Sequence, residues 1–202
     1  MIELIEHNLP IVLASASPRR QQLMTMLGLP FTCVNSGASE EIAPCSPEET
    51  CMELARRKAD AALPLLDMPS LIIGADTIVL LDGVILGKPK DEDDASSMLS
   101  RLSGRTHSVL TGLCVLNTEN GNYALDYERT EVTVDALTKS EIDDYVSTGE
   151  PMDKAGAYGI QGVFAIHVKG VCGCFYNVVG LPLHKLASML KKCRIDKRKE
   201  LK

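Results

Sequence analysis

The sequence has no long apolar run. Its apolar stretches, such as residues 71–73 and 78–81, are far shorter than the roughly 20 residues that a membrane-spanning helix needs. The first six residues include two acidic side chains and do not resemble a secretory leader. We therefore expect no membrane association and a cytoplasmic location.

Positive charge is also scarce. The chain has 21 Lys and Arg against 27 Asp and Glu, which gives a formal net charge of −6. Seven of the basic residues lie in a tail, residues 191–202, which we interpret as a solvated end of the chain. Because nucleic-acid binding needs a broad basic surface, we expect no nucleic-acid partner. A protein this acidic that binds phosphate must concentrate its cations locally.

Cysteine does not occur in a metal-binding or disulfide pattern. The seven cysteines are an odd number and are scattered along the chain. Cys172 and Cys174 form the only close pair, and no second pair follows at zinc-site spacing. We expect reduced, mostly buried thiols.

What the sequence does contain is an alternation of strand-like and helix-like segments, which predicts an α/β fold. Strands are expected near residues 11–14, 31–35, 71–75, 78–81, 84–86, 106–116, 123–134 and 163–168. Helices are expected near residues 18–27, 46–62, 91–102 and 138–149, and from about residue 181 onwards. Ser46 and Thr138 each begin a capping box, and Asp82-Gly83 predicts a tight hairpin.

The segment 13–20, Leu-Ala-Ser-Ala-Ser-Pro-Arg-Arg, is the first that indicates chemistry. Ser17 can cap a helix whose first turn carries Arg19 and Arg20. A helix N-terminus favours acidic side chains, so two arginines there are unusual unless a phosphate binds between them. Guanidinium groups bind phosphate in a bidentate manner. A solvated helix start is the alternative interpretation.

Lys58 and Asp76 are the next candidates. Lys58 lies on the same side of its helix as an apolar stripe, so its ammonium group either extends out to solvent or points into a polar cleft. Asp76 follows the buried strand at 71–75, where α/β folds place catalytic groups. Its carboxylate could bind Mg²⁺ or activate a water molecule. A turn-capping role is the alternative for Asp76.

Three loops complete the set of candidates. Residues 149–162 contain four glycines, which indicates that some group approaches the backbone closely. Lys88 offers a cation in a short loop between Gly87 and Pro89. Glu40 could supply a second metal-binding carboxylate, although most acidic residues in loops face water.

Taken together, five segments resemble the Maf family of nucleoside triphosphate pyrophosphatases. They are residues 13–20, Gly-Ala-Asp-Thr-Ile-Val at 74–79, Lys-Pro at 88–89, Asp-Lys-Ala-Gly-Ala-Tyr-Gly-Ile-Gln-Gly at 153–162 and Asn-Val-Val-Gly-Leu-Pro at 177–182. They occur in the family's order and span most of the chain. The resemblance implies an elongated mixed central sheet flanked by helices, with two lobes around a cleft. It also implies one Maf-like domain over residues 1–202, related in shape to inosine triphosphate pyrophosphatases.

The family's chemistry is cleavage of a nucleoside triphosphate between its α and β phosphates, which releases a nucleoside monophosphate and pyrophosphate. By motif position, the resemblance implies that the phosphates are held by Ser15, Arg19, Arg20, Lys58 and Lys88. It implies that Asp76 is the catalytic carboxylate and that Glu40 and Asp76 hold a divalent cation, Mg²⁺ or Mn²⁺. A homodimer is a further expectation from the family.

Within the family, Ala75-Asp76-Thr77 and residues 157–161 resemble the branch that acts on dTTP and UTP. Thr77 and Gln161 are therefore expected to select the base, with Arg20 nearby. Two alternatives are a pyrophosphatase for damaged purine triphosphates and a nucleotide-binding regulator of cell division without turnover. The second would predict loss of Asp76 or of the cations, and these residues are present.

Overall fold

The computed structural model describes residues 9–39, 41, 43 and 45–195. Within these residues, the chain forms seven strands interspersed with helices, which confirms the predicted α/β class. The strands are β1 (Ile11–Leu13), β2 (Phe31–Cys33), β3 (Leu71–Leu81), β4 (Val84–Leu86), β5 (Thr106–Asn117), β6 (Tyr123–Val134) and β7 (Val168–Cys172). They form a mixed sheet in the order β2-β1-β3-β5-β6-β7, with β4 paired to β3. Strand β1 is parallel to both neighbours, whereas β4 and β7 are antiparallel to theirs.

Helices flank the sheet along the same described part of the chain. The α-helices are α1 (Pro18–Met26), α2 (Pro47–Ala62), α3 (Glu92–Leu102), α4 (Lys139–Ser147), α5 (Phe175–Val179) and α6 (Leu183–Ile195). Short 3-10 helices cover Leu63–Leu65, Glu150–Asp153, Ala155–Ala157 and Val163–His167. Both predicted capping boxes form, at Ser46 before α2 and at Thr138 before α4.

The chain divides into two compact units. The first contains the described parts of residues 1–76 and 180–202, together with Thr111–Glu128. The second contains Thr77–Leu110 and Arg129–Val179. Because each boundary within the sheet falls inside a long strand, β3, β5 and β6 each contribute to both units.

The core of the first unit is built where α2 lies against the sheet. The predicted apolar stripe of α2 is buried, and the core cluster consists of Val12, Ala14, Ala55, Ala59, Ala62, Ile72, Cys114 and Leu116. Two glycines allow the helix backbone to approach the strands directly. A Cβ atom at Gly74 of β3 would lie 2.0 Å from the carbonyl oxygen of Ala55, and one at Gly112 of β5 would lie 2.1 Å from that of Cys51. Only glycine fits at these two contacts.

The second unit contains the hairpin between β3 and β4 and the helices α3 and α4. Asp82 and Gly83 both adopt positive φ, 53° and 77°, which is the backbone that a tight two-residue hairpin needs. Helices α3 and α4 pack against each other. Aromatic side chains fill part of the core, where the ring of Phe164 lies 5.0 Å from those of Tyr145 and Tyr158.

Three local predictions were wrong. Strand β3 does not end before Asp76, because β1 pairs with its first half and β4 with its last residues, so Asp76 lies in mid-strand. Residues 163–167 form a 3-10 helix rather than a strand, and the strand β7 begins only at Val168. The amide of Val163 donates to the side chain of Glu150, so it is used locally and not in a sheet ladder. Ser17 occupies the N-cap of α1 but makes no side-chain capping hydrogen bond.

The cysteines are only partly as expected. The six whose side chains the structure describes are free, in agreement with reduced thiols. Only Cys51 and Cys114 of these six are buried, so the expectation of mostly buried thiols was wrong. Among the described residues, no group of three His, Cys, Asp or Glu side chains could hold a metal ion by itself, and no helix is long and apolar enough to cross a membrane.

Candidate active site

The turn from β1 into α1 is held by the side chain of Ser15. This residue is buried, and its Oγ accepts hydrogen bonds from the amide of Ser17 at 3.2 Å and from Nη1 of Arg20 at 3.4 Å. Nε of Arg20 donates to the carbonyl oxygen of Gly180 at 2.8 Å. The guanidinium group is therefore fixed from two directions at the start of the helix.

The first turn of α1 is electrostatically unusual. It contains no acidic residue, while Arg19 and Arg20 are both half-buried there. The N-terminal amides of a helix and its dipole already attract anions. Two arginines add formal positive charge at the same place. The arrangement suits a phosphate group better than it suits a plain solvated helix start.

Lys58 and Asp76 form a largely buried ion pair. Nζ of Lys58 donates to Oδ1 of Asp76, and the two side chains are only 16% and 10% exposed. The Lys58 side chain therefore points to a polar partner and does not extend out to solvent. The close approach of α2 to β3 at Gly74 explains the contact, since Gly74 lies two residues before Asp76 and faces the turn of α2 that contains Lys58.

The negative charge of Asp76 affects the pKa of the neighbouring Cys51 thiol. Burial is the main cause that raises the pKa of Cys51 to about 12, and the negative charge of Asp76 adds to it. The Cys51 thiol donates to the backbone oxygen of Glu48 and stays protonated at neutral pH. Cys51 is therefore an inert packing residue rather than a nucleophile.

Three predicted site residues belong to the second unit. Thr77 follows Asp76 directly on β3 and is half-buried, whereas Lys88 and Gln161 are exposed in loops. The loops of Lys88 and Gln161 are joined by a backbone hydrogen bond of 3.0 Å, in which the amide of Gly156 donates to the carbonyl oxygen of Gly87. The structure thus links the segments that carry Lys88 and Gln161.

The remaining predicted site residues lie in the first unit, apart from Glu40. In the first unit, Ser15 contacts Arg20, Lys58 contacts Asp76, and Arg19 lies in the first turn of α1. Glu40 lies outside the described residues, so its predicted role in metal binding stays a prediction.

Sequence reasoning missed three groups that hold these residues in place. The carbonyl oxygen of Gly180 anchors Arg20, and the side chains of Tyr145 and Glu150 bond the glycine-rich segment. Gly180 lies within the family motif at 177–182, and that motif was the only feature of the sequence that pointed to it. The glycine spacing at 156, 159 and 162 indicated that some group approaches the backbone closely. It did not indicate that this group is a side chain of the same unit.

This geometry defines a class, the α/β proteins that present cations at a helix N-terminus and a buried carboxylate paired with lysine. The comparisons identify the family. A family model described as Maf-like protein matches residues 10–193. The chain belongs to the Maf family.

Curated relatives agree with this assignment. A dTTP/UTP pyrophosphatase of Agathobacter rectalis is 45% identical over 92% of this chain and 98% of its own length. Those of Caldicellulosiruptor saccharolyticus and Desulforamulus reducens are 46% and 47% identical, over 92% and 93% of this chain and 96% and 98% of their own lengths. A solved dITP/XTP pyrophosphatase from Mycobacterium abscessus aligns over 96% of this chain and 98% of its own with 12% identity and a TM-score of 0.39, which adds nothing to the assignment.

Proposed function

We propose that this chain hydrolyses dTTP and UTP to the nucleoside monophosphate and pyrophosphate, with residues 1–202 acting as one Maf-like domain. The relatives carry that activity in their names and align over more than nine-tenths of the chain. The observation that most supports it is the buried pair of Lys58 and Asp76, because a carboxylate kept out of bulk water beside a cation suits both water activation and polyphosphate binding.

The proposal gives each site residue a role. The phosphates bind to the helix start and to cations, namely Ser15, Arg19, Arg20, Lys58 and Lys88. Thr77 and Gln161 select the pyrimidine. A bound triphosphate brings about four negative charges, so several cations are needed to offset them. Arg20 meets this need with a guanidinium group that Ser15 and Gly180 already orient, which lowers the cost of ordering it on binding.

A divalent cation, Mg²⁺ or Mn²⁺, is part of the proposal. Mg²⁺ favours one or two carboxylates together with substrate phosphates over an all-protein cage. Asp76 fits this mode, since it offers one largely buried carboxylate. Asp76 would hold the ion, and Glu40 is proposed as the second ligand. When bound, the ion would neutralise charge on the phosphates and lower the pKa of a bound water.

The protein's part in the reaction is positioning and proton transfer. Asp76 orients a water in line with the α-phosphorus and accepts its proton as the new P–O bond forms. The bond from the α-phosphorus to the bridging oxygen breaks, and pyrophosphate leaves with that oxygen. Lys58 holds Asp76 in place beforehand, and it and the arginines offset the charge that builds on the leaving group.

The test is a nucleotide panel with purified full-length chain. We would incubate it with Mg²⁺ or Mn²⁺ and with dTTP, UTP, dCTP, CTP, the common purine triphosphates, dITP and XTP, and quantify both products. Pyrophosphate and monophosphate from dTTP and UTP in preference to the others are expected. Preference for dITP or XTP would establish the purine alternative. Binding without turnover would establish a regulator, and orthophosphate with a diphosphate would refute α–β cleavage.

The partner and location follow from the same proposal. We propose a homodimer, as the resemblance implies, acting in the cytosol, where nucleoside triphosphates are made and thiols stay reduced. Strand β7 is at the edge of the described sheet, and Ile166 and Phe175 near it are 81% and 44% exposed. Light scattering after gel filtration should give twice the mass of one chain. A single-chain mass at every concentration would refute the dimer.

A further inference from the structure

Residues 159–163, which carry Gln161, are held by the side chains of Tyr145 and Glu150. The amide of Gly159 donates to the hydroxyl oxygen of Tyr145 at 3.2 Å. The amide of Val163 donates to Oε2 of Glu150 at 3.1 Å. The Tyr145 hydroxyl in turn donates to Oε1 of Glu150 at 3.0 Å. Gln161 therefore sits midway between two anchored amides, and the anchors are bonded to each other.

Side-chain atoms of Glu150 and Lys154 occupy the space that a side chain at position 162 or 159 would need. A Cβ atom at Gly162 would lie 1.9 Å from Oε1 of Glu150. One at Gly159 would lie 2.6 Å from Cε of Lys154 and 3.1 Å from Oε1 of Glu150. The group that approaches this backbone closely is thus a carboxylate of the protein. Glycine at 159 and 162 is what lets Glu150 reach the amides.

The two anchors are themselves rigid. The Tyr145 side chain is buried, and its ring packs against Phe164 at 5.0 Å. Burial raises the pKa of the Tyr145 hydroxyl, so it remains a hydrogen-bond donor at neutral pH. Nζ of Lys154 donates to the backbone oxygen of Glu150 at 2.6 Å, which ties Glu150 to the stretch of chain that leads into residues 159–163.

We propose that Tyr145 and Glu150 are positioning residues that fix Gln161 for recognition of the pyrimidine base. This inference rests on the proposed function and deepens it. Both act through backbone amides at 159 and 163 and need not touch the nucleotide. An amide side chain offers an NH2 donor group and a carbonyl acceptor, which complement a carbonyl and the N3–H of uracil or thymine. That match is selective only when the backbone that carries Gln161 does not shift.

The first test compares the kinetics of Tyr145→Phe with those of wild type and of Tyr123→Phe, a matched control at an exposed tyrosine. Tyr145→Phe keeps the ring but removes the hydroxyl that joins Gly159 to Glu150. Losing such bonds should raise KM for dTTP and UTP about three- to tenfold and lower their preference over CTP and dCTP similarly, with kcat within about twofold. Glu150→Ala should raise KM and lower the preference more than Tyr145→Phe does. Glu150→Gln should have a smaller effect than Glu150→Ala, because glutamine can still accept from the Val163 amide.

The second test is hydrogen exchange over residues 156–165, with melting temperature as the check on folding. Tyr145→Phe should exchange faster there than wild type and Tyr123→Phe. A lower melting temperature with unchanged KM and unchanged preference would overturn the positioning role, as would unchanged exchange. If wild type itself hydrolyses neither dTTP nor UTP, the proposed function fails and the specificity role fails with it. If wild type turns over normally and the variants keep its KM and preference, only the positioning role is refuted.

Discussion

Replacing Gly74 by alanine tests whether the seating of α2 on β3 creates the site. The added Cβ would lie 2.0 Å from the carbonyl oxygen of Ala55 and 3.0 Å from the amide nitrogen of Ala59. Ordinary contact begins at 3.4 Å, so the strand and the helix would have to separate by up to about 1.4 Å at this point. Both colliding groups are backbone in regular structure, and neither can rotate away.

The cost should appear in stability and in activity together. Overpacking of this kind costs about 3 kcal/mol of unfolding free energy. For a chain of this length, that lowers the melting temperature by about 6–12 °C. At a temperature where the variant stays folded, kcat/KM for dTTP should fall about 100-fold, because a shift near 1 Å separates Lys58 from Asp76.

The measurement is a thermal melt followed by steady-state kinetics well below the transition. Gly170→Ala is the matched control, since a Cβ at Gly170 meets nothing within 4 Å. It should leave both quantities close to wild type. A Gly74→Ala protein with wild-type melting temperature and turnover would show that the approach of α2 does not position the pair, and the reasoning would be refuted.

Three further outcomes are expected. Asp76→Asn should keep the fold by circular dichroism and lose at least about 100-fold in kcat, whereas near-normal turnover would remove Asp76 from the mechanism. Arg20→Ala should raise KM for dTTP and UTP about tenfold or more, and an unchanged KM would contradict its phosphate role. Burial lowers the pKa of His107 from 6.5 to about 4, so its stabilising contribution is complete above about pH 6.5 and is lost as pH falls through 4. His107→Gln should therefore reduce the loss of unfolding free energy between pH 7 and pH 4 by up to about 3 kcal/mol in urea melts, and an identical loss would refute this.

Elements with local signals were predictable from the sequence. Ser46 and Glu49 form a capping box between residues only three positions apart, and Asp82-Gly83 forms its turn because few other dipeptides accept two positive φ angles. The continuity of β3 through Asp76 was not predictable in this way. It depends on pairing with β1 and β4 and on a lysine that lies 18 positions earlier in the chain.

The candidate site divides along the same line. The arginines of α1 could be singled out because they are unusual in a first helical turn. The choice between a solvent-facing and an inward-facing Lys58 could not be made from α2 alone, since its partner belongs to β3. The anchoring of Arg20 by Gly180 joins positions 160 residues apart, which no local pattern reveals.

The Glu150 carboxylate that fills the space beside Gly159 and Gly162 also limits how this protein can be redesigned. A side chain at position 162 would displace this carboxylate, and one at position 159 would first meet the side chain of Lys154, so a library for new nucleotide preference should keep both glycines. Position 161 is different, because its side chain is exposed and the backbone on either side is already fixed. New side chains can be tried there one at a time, without rebuilding the loop.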